Sequence, residues 1–151
     1  MIYGDGPLRK WIQKKAKDVD HLKLMGFTSD RNELADIMAS SDYFVHGSSA
    51  ETFGLVVAEA ICSGLPVVVP KTGGAVDLSD PAYAVSYKTG SSTHLSNALN
   101  EVLKRNRNEL AKNAMKAAEK KIKSVDDHFK MLFECYETLL QEKNKGVTEP
   151  V

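Results

Sequence analysis

The sequence predicts an α/β fold in which a Rossmann-like parallel sheet carries helices on both of its faces. Short apolar runs alternate with amphipathic segments, as expected for repeated strand–helix units. The run 67–69 is three consecutive valines, which is typical of a strand buried on both faces. With 151 residues the chain is long enough for one sizeable core, and we assign one domain to residues 1–145.

Each strand is followed by a helical pattern. We predict strands at 1–3, 22–27, 43–46, 67–69 and 83–86. Asp30 and Glu33 resemble a capping box that opens a helix, and Gly64 ends another helix that begins near Phe53. From Thr93 onward three apolar stripes at helical spacing predict further helices. We expect the tail at 146–151 to be disordered.

Composition and charge argue against several classes of function. The formal net charge is +0, which argues against a general nucleic-acid binder. No run approaches the ~18 apolar residues of a membrane span, and no secretory leader is visible. We therefore expect a cytoplasmic protein whose contact with a membrane is at most peripheral. Cys62 and Cys135 lie in helical patterns with no Cys/His cluster, so we expect buried free thiols and no metal site.

The block from 43 to 74 contains the residues that are most informative about a ligand site. A strand is followed by a loop of small residues and then by a helix, and ligands of open α/β sheets bind at that edge. The helix N-terminus offers unpaired N–H groups that suit a phosphate. Gly54 removes a side chain where backbone approaches a ligand. Glu51 precedes the helix and Glu59 lies about two turns inside it, so two acceptors flank the anion site.

This block resembles the E-x7-E signature of family 4 glycosyltransferases, with Glu51 and Glu59 as its glutamates. The surroundings match as well, over about residues 1 to 140. The matching landmarks are Gly4-Asp5-Gly6-Pro7, Gly26-Phe27, Ala39-Ser40-Ser41-Asp42-Tyr43-Phe44-Val45, Gly64-Leu65-Pro66-Val67-Val68 and Gly73-Gly74.

The resemblance implies the donor-binding, C-terminal domain of a retaining GT-B glycosyltransferase. The reaction would move a hexose from a UDP- or GDP-sugar to a glycan or lipid acceptor, with no cofactor beyond the donor substrate. The implied catalytic residue is Glu51, which would accept hydrogen bonds from donor-sugar hydroxyls. Glu59 would bind the ribose. The other implied donor contacts are Gly4 beside the nucleotide, Gly26 and Phe27 at the base, and Phe53, Gly54, Leu55 and Val56 at the diphosphate and sugar.

The chain also departs from the family pattern. Relatives usually carry Pro-Ser where this chain has Gly47-Ser48, with His46 just before, and Asp77 takes a position that is often glutamate. The N-terminal acceptor domain and a first strand–helix unit with its Arg and Lys have no counterpart. Only about three residues precede the first turn. We therefore expect a domain incomplete at its N-terminus that is inactive alone.

Other interpretations remain open. A nucleotide-sugar epimerase of the same architecture and a non-catalytic nucleotide-sugar-binding module both fit the motifs. A glycosidase is less favoured, since its two carboxyls would have to lie ~5–9.5 Å apart across a sugar. For single residues, Glu59 could be a solvated helix glutamate, Glu51 a helix-start acid, Asp5 a turn residue and His46 a packed imidazole.

Overall fold

The computed structural model describes residues 1–48 and 50–146. It divides into two compact units, Met1–Asp42 and Tyr43–Val151. The single domain that the sequence predicts over 1–145 stays a prediction.

The first unit contains two strand–helix repeats. Its elements are β1 (Ile2–Tyr3), α1 (Arg9–Ala16), β2 (Leu24–Gly26) and α2 (Arg31–Ala39). The two strands pair in parallel, and the Gly4 N–H extends the ladder by donating to the Gly26 carbonyl at 2.7 Å. Helix α1 is only partly covered within this unit, since its Trp11 is 60% exposed.

Half of the predicted capping box forms at the start of α2. The Asp30 carboxylate accepts from the backbone N–H groups of Asn32 and Glu33, as an N-cap should. The Glu33 side chain does not reach back to the cap residue. It accepts from the Thr28 hydroxyl instead, and the Thr28 oxygen in turn accepts from the Asp30 N–H.

The second unit holds a parallel sheet of β3 (Phe44–Val45), β4 (Val67–Pro70) and β5 (Ala84–Tyr87), in that order. Every residue of β4 is buried, as the apolar run predicts, because the strand lies between two others. The helices of this unit are α3 (Leu55–Cys62), α4 (Gly74–Asp77), α5 (Ser92–Lys104), α6 (Arg107–Lys121) and α7 (Val125–Gly146).

The core of this unit lies between the sheet and its helices. Helix α5 packs on β5, and α3 packs on both β4 and α6. One cluster of buried side chains joins these layers: Val68, Val85, Tyr87, Ala98, Val102 and Leu110. Parallel strands with flanking helices confirm the predicted Rossmann-like fold class. Gly64 ends α3 as predicted, at φ +74°, and the N–H groups of Gly64 and Leu65 satisfy the Ile61 and Ala60 carbonyls.

One sequence-based expectation about the helices is wrong: Cys62 and Cys135 are exposed rather than buried. The disordered tail expected over 146–151 stays a prediction, since α7 ends at Gly146 and 147–151 fall outside the described residues. None of the helices in the described part of the chain is long and apolar enough to cross a bilayer.

Candidate functional site

The predicted site residues of the second unit gather where β3 and β4 end. Glu51 lies in the loop that follows β3, and Gly54 is the residue from which α3 begins. Gly54 has φ +71°, and a Cβ there would lie 3.2 Å from the Ala75 backbone. Only glycine suits both conditions, so the sequence places the loop, the helix start and α4 in close contact.

The Glu51 carboxylate lies against two neighbours. One oxygen, Oε1, accepts from the Gly54 N–H at 3.2 Å. The other, Oε2, lies 3.5 Å from Nε2 of His46. The Glu51 side chain remains 26% exposed, so its carboxylate stays accessible to a ligand while its direction is set.

The turn formed by Gly73 and Gly74, the glycine turn, lies against the backbone of the same loop. The Gly74 N–H donates to the Glu51 carbonyl at 2.9 Å. A Cβ on Gly73 would lie 2.5 Å from that carbonyl oxygen, and one on Gly74 would overlap the Thr52 carbonyl. The two consecutive glycines therefore allow the turn after β4 to lie directly against the loop after β3.

His46 is the most buried polar residue of this site. It is 7% exposed, its N–H donates to the Val68 carbonyl at 2.8 Å, and its carbonyl accepts from the Tyr87 hydroxyl at 2.8 Å. The imidazole stacks on Phe44 with ring centroids 6.2 Å apart. Among the described residues, its Nε2 has no hydrogen-bond partner. The imidazole is thus packed and also faces Glu51.

Helix α3 presents an accessible first turn. The first N–H groups of a helix have no partner within it, which makes its N-terminus a site for an anion. Phe53 and Leu55 beside it are 76% and 71% exposed, and Val56 is half-buried. Glu59 is exposed one turn further along. Desolvation, and then the Glu59 charge, raise the pKa of the Cys62 thiol.

The first unit brings together the remaining predicted residues. Gly26 is buried with φ +82°, and Phe27 beside it is 75% exposed. The adjoining turn is fixed by Asp5, whose carboxylate accepts from the Gly6 N–H and the Arg9 guanidinium at 2.7 Å each. The Gly6 bond, followed by the Arg9 bond, lowers the pKa of Asp5. Asp5 is therefore a turn residue here.

Two contributors to the site were missed by sequence reasoning. Tyr87 supports His46 from 41 residues away, and its hydroxyl gives no signal in an apolar strand pattern. The glycine turn is one of the landmarks in the sequence, but residue spacing does not reveal its contact with the Glu51 backbone. Across the part of the chain that the structure describes, no group of three or more His, Cys, Asp or Glu could hold a metal ion.

Comparison with known proteins relates this geometry to one family. Residues 1–121 match the sequence model of Glycosyl transferases group 1. A GDP-mannose-dependent alpha-mannosyltransferase of Mycobacterium tuberculosis is 43% identical over 83 residues, which is 54% of this chain and 20% of the relative. A GDP-mannose-dependent alpha-(1-6)-phosphatidylinositol dimannoside mannosyltransferase of the same species is 36% identical over 78 residues, 52% of this chain and 20% of the relative.

A solved structure extends the comparison over more of the chain. Anabaena HepE in complex with UDP-glucose superposes with a TM-score of 0.74 at 25% identity. The match covers 89% of this chain and 40% of that protein. The chain therefore spans well under two thirds of the proteins it resembles.

Proposed function

The chain belongs to the group 1 glycosyl transferases, and from that membership we propose that it is the donor-binding, C-terminal half of a retaining glycosyltransferase. The reaction would move a hexose from a UDP- or GDP-sugar to a glycan or lipid acceptor that the rest of the enzyme binds. The proposed site residues are those that the sequence motifs single out, with Glu51 at the sugar and Glu59 at the ribose.

The observation that carries the proposal is the fixed carboxylate of Glu51 beside the start of α3. The Gly54 N–H holds one carboxylate oxygen, while a quarter of the side chain stays exposed. A helix N-terminus attracts the diphosphate of a nucleotide sugar, and a carboxylate next to it accepts hydrogen bonds from sugar hydroxyls. Phosphate and sugar are adjacent in such a donor, as helix start and carboxylate are adjacent here.

The names of similar proteins support the donor class. Two relatives are called GDP-mannose-dependent, and the Anabaena structure contains UDP-glucose. We therefore keep both bases in the proposal. The lipid acceptor rests on the phosphatidylinositol dimannoside in the name of one relative.

The chemistry proposed for this half is electrostatic. Charge develops on the diphosphate as it leaves the sugar, and preorganised N–H groups at the first turn of α3 stabilise that charge without reorganising. Glu51 orients the sugar through its hydroxyls, so that the anomeric carbon faces the acceptor. The proposal includes neither a metal ion nor a cofactor.

A binding experiment with the 151-residue chain tests the proposal. Calorimetry would compare GDP with GDP-mannose and UDP with UDP-glucose. We expect one pair to bind and its sugar nucleotide to bind more tightly than the bare diphosphate. We call that ratio of the two dissociation constants the sugar increment. Hydrogen bonds to a charged group contribute ~1.5–3 kcal/mol, so the increment should be about 10–100-fold.

The matched variants are Glu51→Gln and Glu119→Gln. The glutamine at 51 retains an oxygen for the Gly54 N–H but loses the charge, so the increment should fall while the bare diphosphate binds as before. Glu119 is exposed on α6, away from this loop, and its variant should behave as the wild type. A wild-type chain that binds none of the four compounds, or binds sugar nucleotides no better than diphosphates, would contradict the proposal.

A further inference from the structure

We infer that His46 is a positioning residue for Glu51, whose imidazole Nε2–H directs the carboxylate oxygen that receives the donor sugar. The inference rests on the proposed function, because it assigns the sugar contact to Glu51. It concerns a residue to which the sequence motifs give no role.

The two oxygens of Glu51 have different surroundings. Oε1 already accepts the Gly54 N–H at 3.2 Å. Oε2 faces His46 at 3.5 Å and is the oxygen left for a ligand. A carboxylate oxygen has two acceptor sites, so Oε2 can accept from His46 and from a sugar hydroxyl together. The imidazole would then fix the direction of the remaining lone pair.

The unpartnered Nε2 is the second observation. Buried polar atoms nearly always have hydrogen-bond partners, so one without a partner needs an explanation. Within the described residues, Nε2 of His46 has no such partner, and the residue is 7% exposed. The carboxylate at 3.5 Å lies just beyond the usual N–H···O range of about 2.7–3.2 Å. Hydrogen bonds of an active site are often long without substrate and shorten when substrate binds.

The imidazole is anchored more firmly than the carboxylate it faces. His46 directly follows the strand, its backbone N–H donates to the Val68 carbonyl, and its carbonyl accepts from the Tyr87 hydroxyl. Its ring also stacks on Phe44. Glu51 lies in a loop. A side chain fixed by the sheet can therefore set the orientation of a side chain carried by the loop.

A purely structural role for His46 predicts something different. If the ring only fills space, phenylalanine should replace it, since it preserves the stacking on Phe44 and the volume. If Nε2 directs Glu51, phenylalanine should fail and glutamine should work, because its amide N–H can reach the same oxygen.

The test measures the sugar increment in the full chain by calorimetry. We expect His46→Phe to lower the increment by about tenfold, as for the loss of one hydrogen bond to a charged group. Binding of the bare diphosphate should stay within about twofold of the wild type, and His46→Gln should recover most of the loss. In the Glu51→Gln background His46→Phe should have no further effect, because the two side chains act as one unit. His128→Phe makes the same change on the exposed surface of α7 and should leave the increment unchanged.

The outcomes separate this inference from the function it rests on. A wild-type increment that His46→Phe leaves intact overturns the positioning role and leaves the proposed function standing. An equal loss in both His46 variants, with weaker binding of the bare diphosphate, also overturns it, because the effect is then one of packing. A wild-type chain without any increment overturns both.

Discussion

Replacing Gly74 by alanine tests the contact that positions the Glu51 loop. Gly74 does not have a positive φ, so alanine can adopt its backbone conformation. The cost of the substitution therefore comes from space alone. The added Cβ would overlap the Thr52 carbonyl and would lie 2.9 Å from the Phe53 carbonyl carbon. Both are backbone atoms, so the loop after β3 and the turn after β4 must separate.

The size of the effect follows from two losses. Overpacking a tight contact costs about 1–3 kcal/mol. Separation also breaks the 2.9 Å bond from the Gly74 N–H to the Glu51 carbonyl, which is worth about 0.5–1.5 kcal/mol. The unfolding free energy should thus fall by about 2–4 kcal/mol. For a unit of this size that is a decrease in Tm on the order of 10 °C.

Thermal unfolding, monitored by circular dichroism, measures this decrease in Tm. Calorimetry then measures the sugar increment, which should fall because Glu51 moves with the loop. Gly47→Ala is the matched control. It adds the same methyl group to the same loop, where nothing lies within 4 Å, so its Tm should change little. If the Gly74→Ala variant had the same Tm and the same sugar increment as the wild type, the glycine turn would not hold the loop.

Two further results are expected. Glu59→Gln should weaken binding of the bare diphosphate by roughly 10–100-fold in calorimetry, because the ribose would lose a charged acceptor; equal affinity would remove Glu59 from the site. Burial raises the pKa of Tyr83 and Tyr87 above the usual 10.0, helped at Tyr83 by the Asp80 charge, so the stability from these protonated phenols is fully present below about pH 10. It should be lost as the pH rises through the folded pKa. Melting curves from pH 8 to 11 should show that loss, and a curve unaffected by Tyr83→Phe would contradict it.

The sequence predicted the fold class because its signals are local. Alternating apolar runs and amphipathic segments located all five described strands within three residues of their observed ends. Gly64 and Asp30 marked helix ends through their own backbone and side-chain chemistry. Exposure was harder to predict. The stripe on α7 resembles any core-facing stripe, yet Phe133 is 61% exposed, since burial depends on what packs against a helix rather than on its spacing.

The residues of the candidate site also differ in whether local sequence signals reveal them. Glu51, Gly54 and Glu59 could be found from sequence because they lie within one strand–loop–helix segment. The groups that support the Glu51 backbone and His46 come from elsewhere in the unit: the glycine turn follows the next strand, and Tyr87 ends the strand after it. Such contacts arise from parallel pairing of β3, β4 and β5, which brings their carboxyl ends to one edge.

This arrangement explains why the Glu51 loop depends on residues that have no contact with the donor in the proposal. Each strand of the sheet contributes one constraint at its carboxyl end: β3 leads to His46, β4 leads to the glycine turn, and β5 ends at the tyrosine that bonds the His46 carbonyl. Removing the His46 imidazole or the Tyr87 hydroxyl should change how Glu51 meets the sugar and leave the helix N-terminus, where the diphosphate would bind, in place. Variants at these two positions should therefore lower the sugar increment much more than the affinity for the bare diphosphate.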